Sequence, residues 1–254
     1  MVQPHSLLWH YLSIAPCILL AFLASMMWRL GLHKQFPAFF SYTVFEATGG
    51  GLIYAIYLSP SVPNTTYWWS YLAFLVAEVI VKLMVIGEVF TNLLRSYPSL
   101  GRSAKSLISV VGIVLVFAGS LIAAYANHAS FWLVSASRIL GRSVSVVQCG
   151  LILFLFVFAA RFHLSWPRPI FGITLGFGIV ASVYVAYWAL LADWLLGQKS
   201  YLLDFLVMGT YHLCVLIWCY YLLVPHKSAI TSAAALPENN LAAWNRELER
   251  LLQQ

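Results

Sequence analysis

The 254-residue sequence predicts an all-α, polytopic membrane protein with seven transmembrane helices. Three observations carry that expectation. Hydrophobic residues make up 62% of the chain and charged residues 9%, whereas about a quarter of the residues in a soluble domain are charged. The apolar residues gather into seven runs, each near or above the roughly 20 residues a helical crossing needs. The basic residues between the runs fall almost entirely on alternate loops. A membrane barrel is excluded, because it would show alternating segments of about ten residues instead.

The first run, Leu7 to Leu30, follows MVQPHS, which contains no Lys or Arg. It is too long for a cleaved signal and is expected to remain as a helix. The others are Ala38 to Leu58, Tyr67 to Leu94, Leu107 to Tyr125, Trp132 to Phe162, Ile170 to Leu196 and Tyr201 to Val224. Arg29 and Lys34 flank the first loop; Arg95, Arg102 and Lys105 the third; Arg161 and Arg168 the fifth; and Lys227 follows the last run. The remaining loops hold only Lys199. The positive-inside rule then places the N-terminus outside and the C-terminus in the cytoplasm of a plasma or inner membrane. Trp9, Tyr67, Trp68, Trp69 and Trp132 supply an outer aromatic belt.

Residues 1–225 are thus read as a seven-helix transmembrane domain, 226–236 as a small-residue linker and 237–254 as a short amphipathic cytoplasmic helix. In that last segment Leu241, Trp244, Leu248 and Leu251 recur at helical spacing, a face for the membrane surface, a cytoplasmic partner or a second copy of the chain.

A shift of 132 residues lays the first run over the fifth, with nine identities in 29 positions, among them Cys17 on Cys149, Arg29 on Arg161 and Pro37 on Pro169. This is the pattern of a parallel repeat of three spans, a linker span and three spans.

Counting depth along the helices sets Glu46, Glu78, Lys82, Arg138, Arg142 and His212 in one layer on four different spans. Ionisable groups at that depth are costly and are functional by default. Glu78 and Lys82 can pair at i and i+4, and Arg138 and Arg142 share a stripe with Ser145 and Cys149 that suits the bundle interior. Two carboxylates, one lysine and two arginines sum to a positive site, which would favour an anion. Glu88 is expected to pair with Arg95, and Asp193, Lys199 and Asp204 to form an exposed rim. Gly49, Gly50 and Gly51 are read as a helix break beside Glu46 that frees backbone groups toward a cavity.

The functional expectation is a transporter of a small solute with a charged intramembrane site, an anion being the class that a positive site would favour. The alternative is a seven-helix receptor or a membrane partner subunit acting through the C-terminal helix. Motifs for hydrolases and zinc proteases are absent, the four cysteines lack Cys-x-x-Cys spacing, and no His cluster could hold a metal or haem. No cofactor is expected. The net charge of +6 resides at span ends rather than in a nucleic-acid-binding patch.

Overall fold

The computed structural model describes residues 7–59, 62–93, 132–161, 166–193 and 201–224. Its elements are helices: α1 Leu7–Arg29, a one-turn α2 Leu32–Gln35, α3 Pro37–Leu58, α4 Asn64–Leu93, α5 Trp132–Arg161, α6 Arg168–Asp193 and α7 Tyr201–Leu223. Six of the seven apolar runs are therefore helices, with ends within three residues of those expected. The fourth run, the linker and the C-terminal amphipathic segment lie outside the described residues, as do Arg95 and Lys199. Among the described residues four segments are long and apolar enough to cross a membrane: α1, Gly141–Arg161 of α5, Arg168–Ala189 of α6 and Leu202–Leu223 of α7. The chain divides into two compact units, Met1–Leu223 and Val224–Gln254, and all seven helices belong to the first.

Local sequence explains how the helices begin and turn. Gly31 adopts a left-handed backbone, φ 71°, which a side chain would oppose, and so ends α1 sharply. Pro37 opens α3, where its missing N–H is no loss. The next two N–H groups, of Ala38 and Phe39, each donate to a different oxygen of the Glu88 carboxylate at 3.0 Å. Glu88 thus caps α3 from the neighbouring helix, and Arg95, the partner expected from sequence, lies outside the described residues.

The helices form a closed ring in the order α1, α3, α4, α5, α6, α7, with α7 packing back on α1. Specific contacts fix their directions. Cys17 sits against Gly50 and Trp28 against Phe40, so α1 and α3 are antiparallel. Phe45 stacks on Phe74 and Tyr57 meets Tyr67, so α4 reverses again. Val79 packs with Val144 and Phe90 stacks on Phe154, which makes α4 and α5 parallel. In α6 and α7 the direction alternates, with Tyr187 bonded to Asp204 and Gly172 beside Tyr221. Consequently α1, α4, α5 and α7 start at one end of the ring, and α3 and α6 finish there.

The buried core occupies the opposite end. Leu23, Met27, Phe36, Phe39, Phe90, Leu155 and Trp218 are all essentially inaccessible. Trp218 donates its indole N–H to the Ile173 carbonyl at 3.3 Å, which satisfies its one polar atom. Gly176 and Gly172 let α7 approach α6 closely, since a Cβ at either would overlap the Trp218 or Tyr221 ring. Small residues of this kind are what helix pairs in lipid use, because apolar burial supplies no driving force there. On the outside of the ring, Ile18, Phe22, Leu153, Val157 and Leu202 project freely, as lipid-facing side chains do.

Candidate functional site

Glu46 stands in the middle of α3 and Glu78 and Lys82 in the middle of α4. Antiparallel packing brings the three together. Glu78 and Lys82 form an ion pair across one helical turn, both largely buried. Glu46 lies within electrostatic reach of both, is 9% exposed, and has no hydrogen-bond partner for its Oε1. The Tyr184 hydroxyl on α6 feels both carboxylates.

Two cavities adjoin at the end where α1, α4, α5 and α7 begin. The larger, of about 500 Å³, lies between α4, α5 and α6. Glu78, Lys82, Ser145 and Gln148 line it, with Trp68, Trp188 and Asp204 among the residues nearer the helix ends. The smaller, of about 320 Å³, lies between α1, α3 and α7 and includes Glu46, Cys17 and Tyr211. Trp9, Tyr67 and Tyr184 line both, so the cavities share an aromatic partition. Each volume is of ligand size.

Beyond the cavities, toward the other end, the ring is plugged by aromatic side chains. Tyr42, Phe39, Phe177 and Trp218 pack mutually, with Tyr42 and Phe177 centroids 4.9 Å apart and Phe177 and Trp218 5.1 Å apart. All four are at most 2% exposed. The Tyr42 hydroxyl meets that of Tyr211 at 3.3 Å, tying the plug to the wall of the smaller cavity.

Comparison with protein families, with characterised proteins and with solved structures finds no match.

The structure separates the residues that sequence depth had placed in one layer. Glu46, Glu78 and Lys82 are together. Arg142 is not with them, because it faces out from α5 and is exposed. The Arg138 side chain lies outside the described residues. The buried stripe of α5 runs instead through Val144, Ser145, Gln148, Leu151 and Leu155, which turns Arg142 off the interior. His212 packs near Tyr11 of α1 with the rings tilted and their centroids 5.6 Å apart, lines neither cavity, and has a buried Nδ1 without a partner.

The glycine triplet does not break its helix, for α3 continues from Pro37 to Leu58. Gly49 accommodates the Phe74 ring, Gly50 accommodates the Cys17 sulfur and Gly51 faces open space. Their use is close approach of helices. Asp204 is no exposed rim residue either: it accepts a 3.0 Å hydrogen bond from Tyr187 and lines the larger cavity.

Among the described residues the two cavities are lined by the carboxyls of Glu46, Glu78 and Asp204 and by one cation, Lys82, while the Arg138 side chain, which the expected positive sum also counted, lies outside them.

Sequence reasoning missed Gln148, Tyr184, Tyr211 and Trp188. Gln148 is 4% exposed, and its Nε2 and the Trp188 Nε1 are buried without partners at the larger cavity. Such donors are the groups a bound solute or water would satisfy. Gln148 was discoverable as the one amide within the apolar run from Trp132 to Phe162.

Proposed function

We propose that the chain is a seven-span carrier of a small solute, with its N-terminus outside, held in a form open to the outside and closed toward the cytoplasm. The observation that carries this reading is the stacking of three layers along the ring axis: ligand-sized cavities, buried charges at Glu46, Glu78 and Lys82, and a packed aromatic plug. A carrier requires a site accessible from one side at a time, and a plug below a cavity is one such state. The acidic lining replaces an anion with a cationic or neutral solute.

Helix direction supports the seven-span topology. The chain leaves α4 at the plugged end and enters α5 at the cavity end, which is the arrangement that one further span between them would produce. The predicted run Leu107 to Tyr125 is long enough to make that crossing.

The parallel repeat also gains support. Cys17 faces position 50 across the α1–α3 pair, and Cys149 faces Ser182 across the α5–α6 pair, with Sγ and Oγ 3.9 Å apart. Both partners are related by the same shift of 132 residues that aligns the cysteines. Rocking of α1, α3 and α4 against α5, α6 and α7 would open the plug and close the cavities.

A thiol placed below the plug tests the carrier directly. Thr174 on α6 is 2% exposed and sits among the core residues. In a background lacking the four native cysteines, Thr174→Cys is expected to react slowly with a membrane-impermeant thiol reagent applied from the cytoplasmic side. Complete protection from that side, while the cavities remain accessible from outside, would favour a receptor.

A further inference from the structure

We propose that the smaller cavity binds a small organic cation, an ammonium bearing alkyl groups, with Glu46 as its counter-charge. The proposal assigns a solute class to the carrier described above, and its transport aspect rests on that reading; the binding itself does not.

The charge balance comes first. Glu78 and Lys82 neutralise each other as an ion pair, and Glu46, beside them and nine-tenths buried, retains an oxygen with no partner. Among the described residues the cluster thus holds one carboxyl more than it has cations, in a poorly solvated place where ionising that carboxyl is expensive unless a cation accompanies it. Arg142 cannot supply that cation from the outer face of α5.

The lining then selects the kind of cation. Among the described residues no Lys, Arg or His borders the smaller cavity, while Trp9, Tyr54, Tyr57, Tyr67, Tyr184 and Tyr211 do. Aromatic faces attract alkylammonium groups through their quadrupoles, and a desolvated site strengthens the effect. Pro16 has no N–H to donate to the carbonyl of Leu12, and both residues border the cavity. A hard metal cation prefers six or more oxygen ligands, and this wall is mainly aromatic and aliphatic. An anion would meet Glu46 unscreened.

Cys17 is a native reporter, since it borders the cavity and is a free, partly exposed thiol. The test uses purified full-length protein in which Cys149, Cys214 and Cys219 are replaced by Ser, Ala and Ala. The rate of Cys17 modification is followed against tetramethylammonium chloride, with sodium chloride, sodium lactate and glucose as comparisons.

Saturable protection by tetramethylammonium alone is expected. In Glu46→Gln the concentration for half-protection should rise by about 30-fold or more, the loss that follows removal of a buried charge partner. Glu46→Asp, which keeps the charge, should retain part of the protection. Equal protection by sodium makes the site one for inorganic ions and overturns the proposal, as does undiminished tetramethylammonium binding in a folded Glu46→Gln protein. Should neither variant fold, the wild-type selectivity decides. Protection by glucose or lactate alone overturns the cation class and leaves the carrier standing. Protection by tetramethylammonium without its uptake into proteoliposomes upholds the site and removes the carrier.

Discussion

At the scale of single residues, what matters is which charges are neutralised and which are not. Lys82 has one carboxylate as its direct partner, and a second, Glu46, close by. Removing the lysine therefore leaves two buried carboxylates facing each other. Lys82→Met is expected to destabilise the protein by about 3–5 kcal/mol, the range for breaking a buried pair on one side only, read as a lower midpoint in denaturant unfolding. Arg142→Gln, on the exposed face of α5, should change stability by no more than about 0.5 kcal/mol in the same measurement.

The glycines make an independent residue-scale prediction. At Gly49 and Gly176 an added methyl would meet the Phe74 ring and the Trp218 indole, and Trp218 is fully buried with nowhere to move. Gly176→Ala is expected to cost about 1–3 kcal/mol through overpacking, while Gly51→Ala, which meets nothing, should be neutral or slightly stabilising. Equal effects at the two positions would mean that the helices approach each other differently.

At the scale of elements, α3 depends on α4 for its start. Glu88→Ala removes the acceptor for two N–H groups and should cost about 0.5–2 kcal/mol, with the first turn of α3 losing hydrogen-exchange protection before the rest of the helix. Glu88→Gln keeps one acceptor oxygen and should fall between.

How much was legible in the sequence also differs by element. The existence of α1, α3, α4, α5, α6 and α7 could be read from run length alone, because a helix that crosses hydrocarbon must be long and almost uncharged. Rotation about a helix axis could not. In α5, Ser145 belongs with either Arg142 or Gly141 at helical spacing, and a shift of phase by one residue decides whether an arginine or a glycine faces inward. Glu46, Glu78 and Lys82 were found because charge is conspicuous in apolar sequence. Tyr184 and Tyr211 were not, since tyrosine also serves at membrane interfaces and nothing in its spacing singles out a cavity wall. The acceptor for the α3 N-terminus lies 50 residues away on another helix, beyond any local pattern.

At the scale of the whole molecule, the ring combines a closed lower end with an accessible upper one. The core residues, the aromatic plug and the glycine contacts of α6 and α7 hold the lower end together, whereas the upper end is held chiefly by aromatic pairs such as Trp9 with Phe205 and Tyr57 with Tyr67. In the proposed carrier, opening the plug would exchange those two conditions between the ends. Deleting residues 237–254 should leave solute movement intact if the seven-helix unit is the carrier, and abolish function if a cytoplasmic partner is engaged there.

The measurement that tests the account most directly is the sidedness of Cys17 modification in intact cells and in inside-out vesicles, with Cys17 as the one cysteine present. Cys17 borders the cavity that holds Glu46, and the plug separates it from the end that the proposed topology places in the cytoplasm. Rapid reaction with an impermeant thiol reagent from the outside, and much slower reaction from the cytoplasmic side, is the predicted result. Rapid reaction from the cytoplasmic side, with none from outside, would contradict the orientation and the outward-open carrier together.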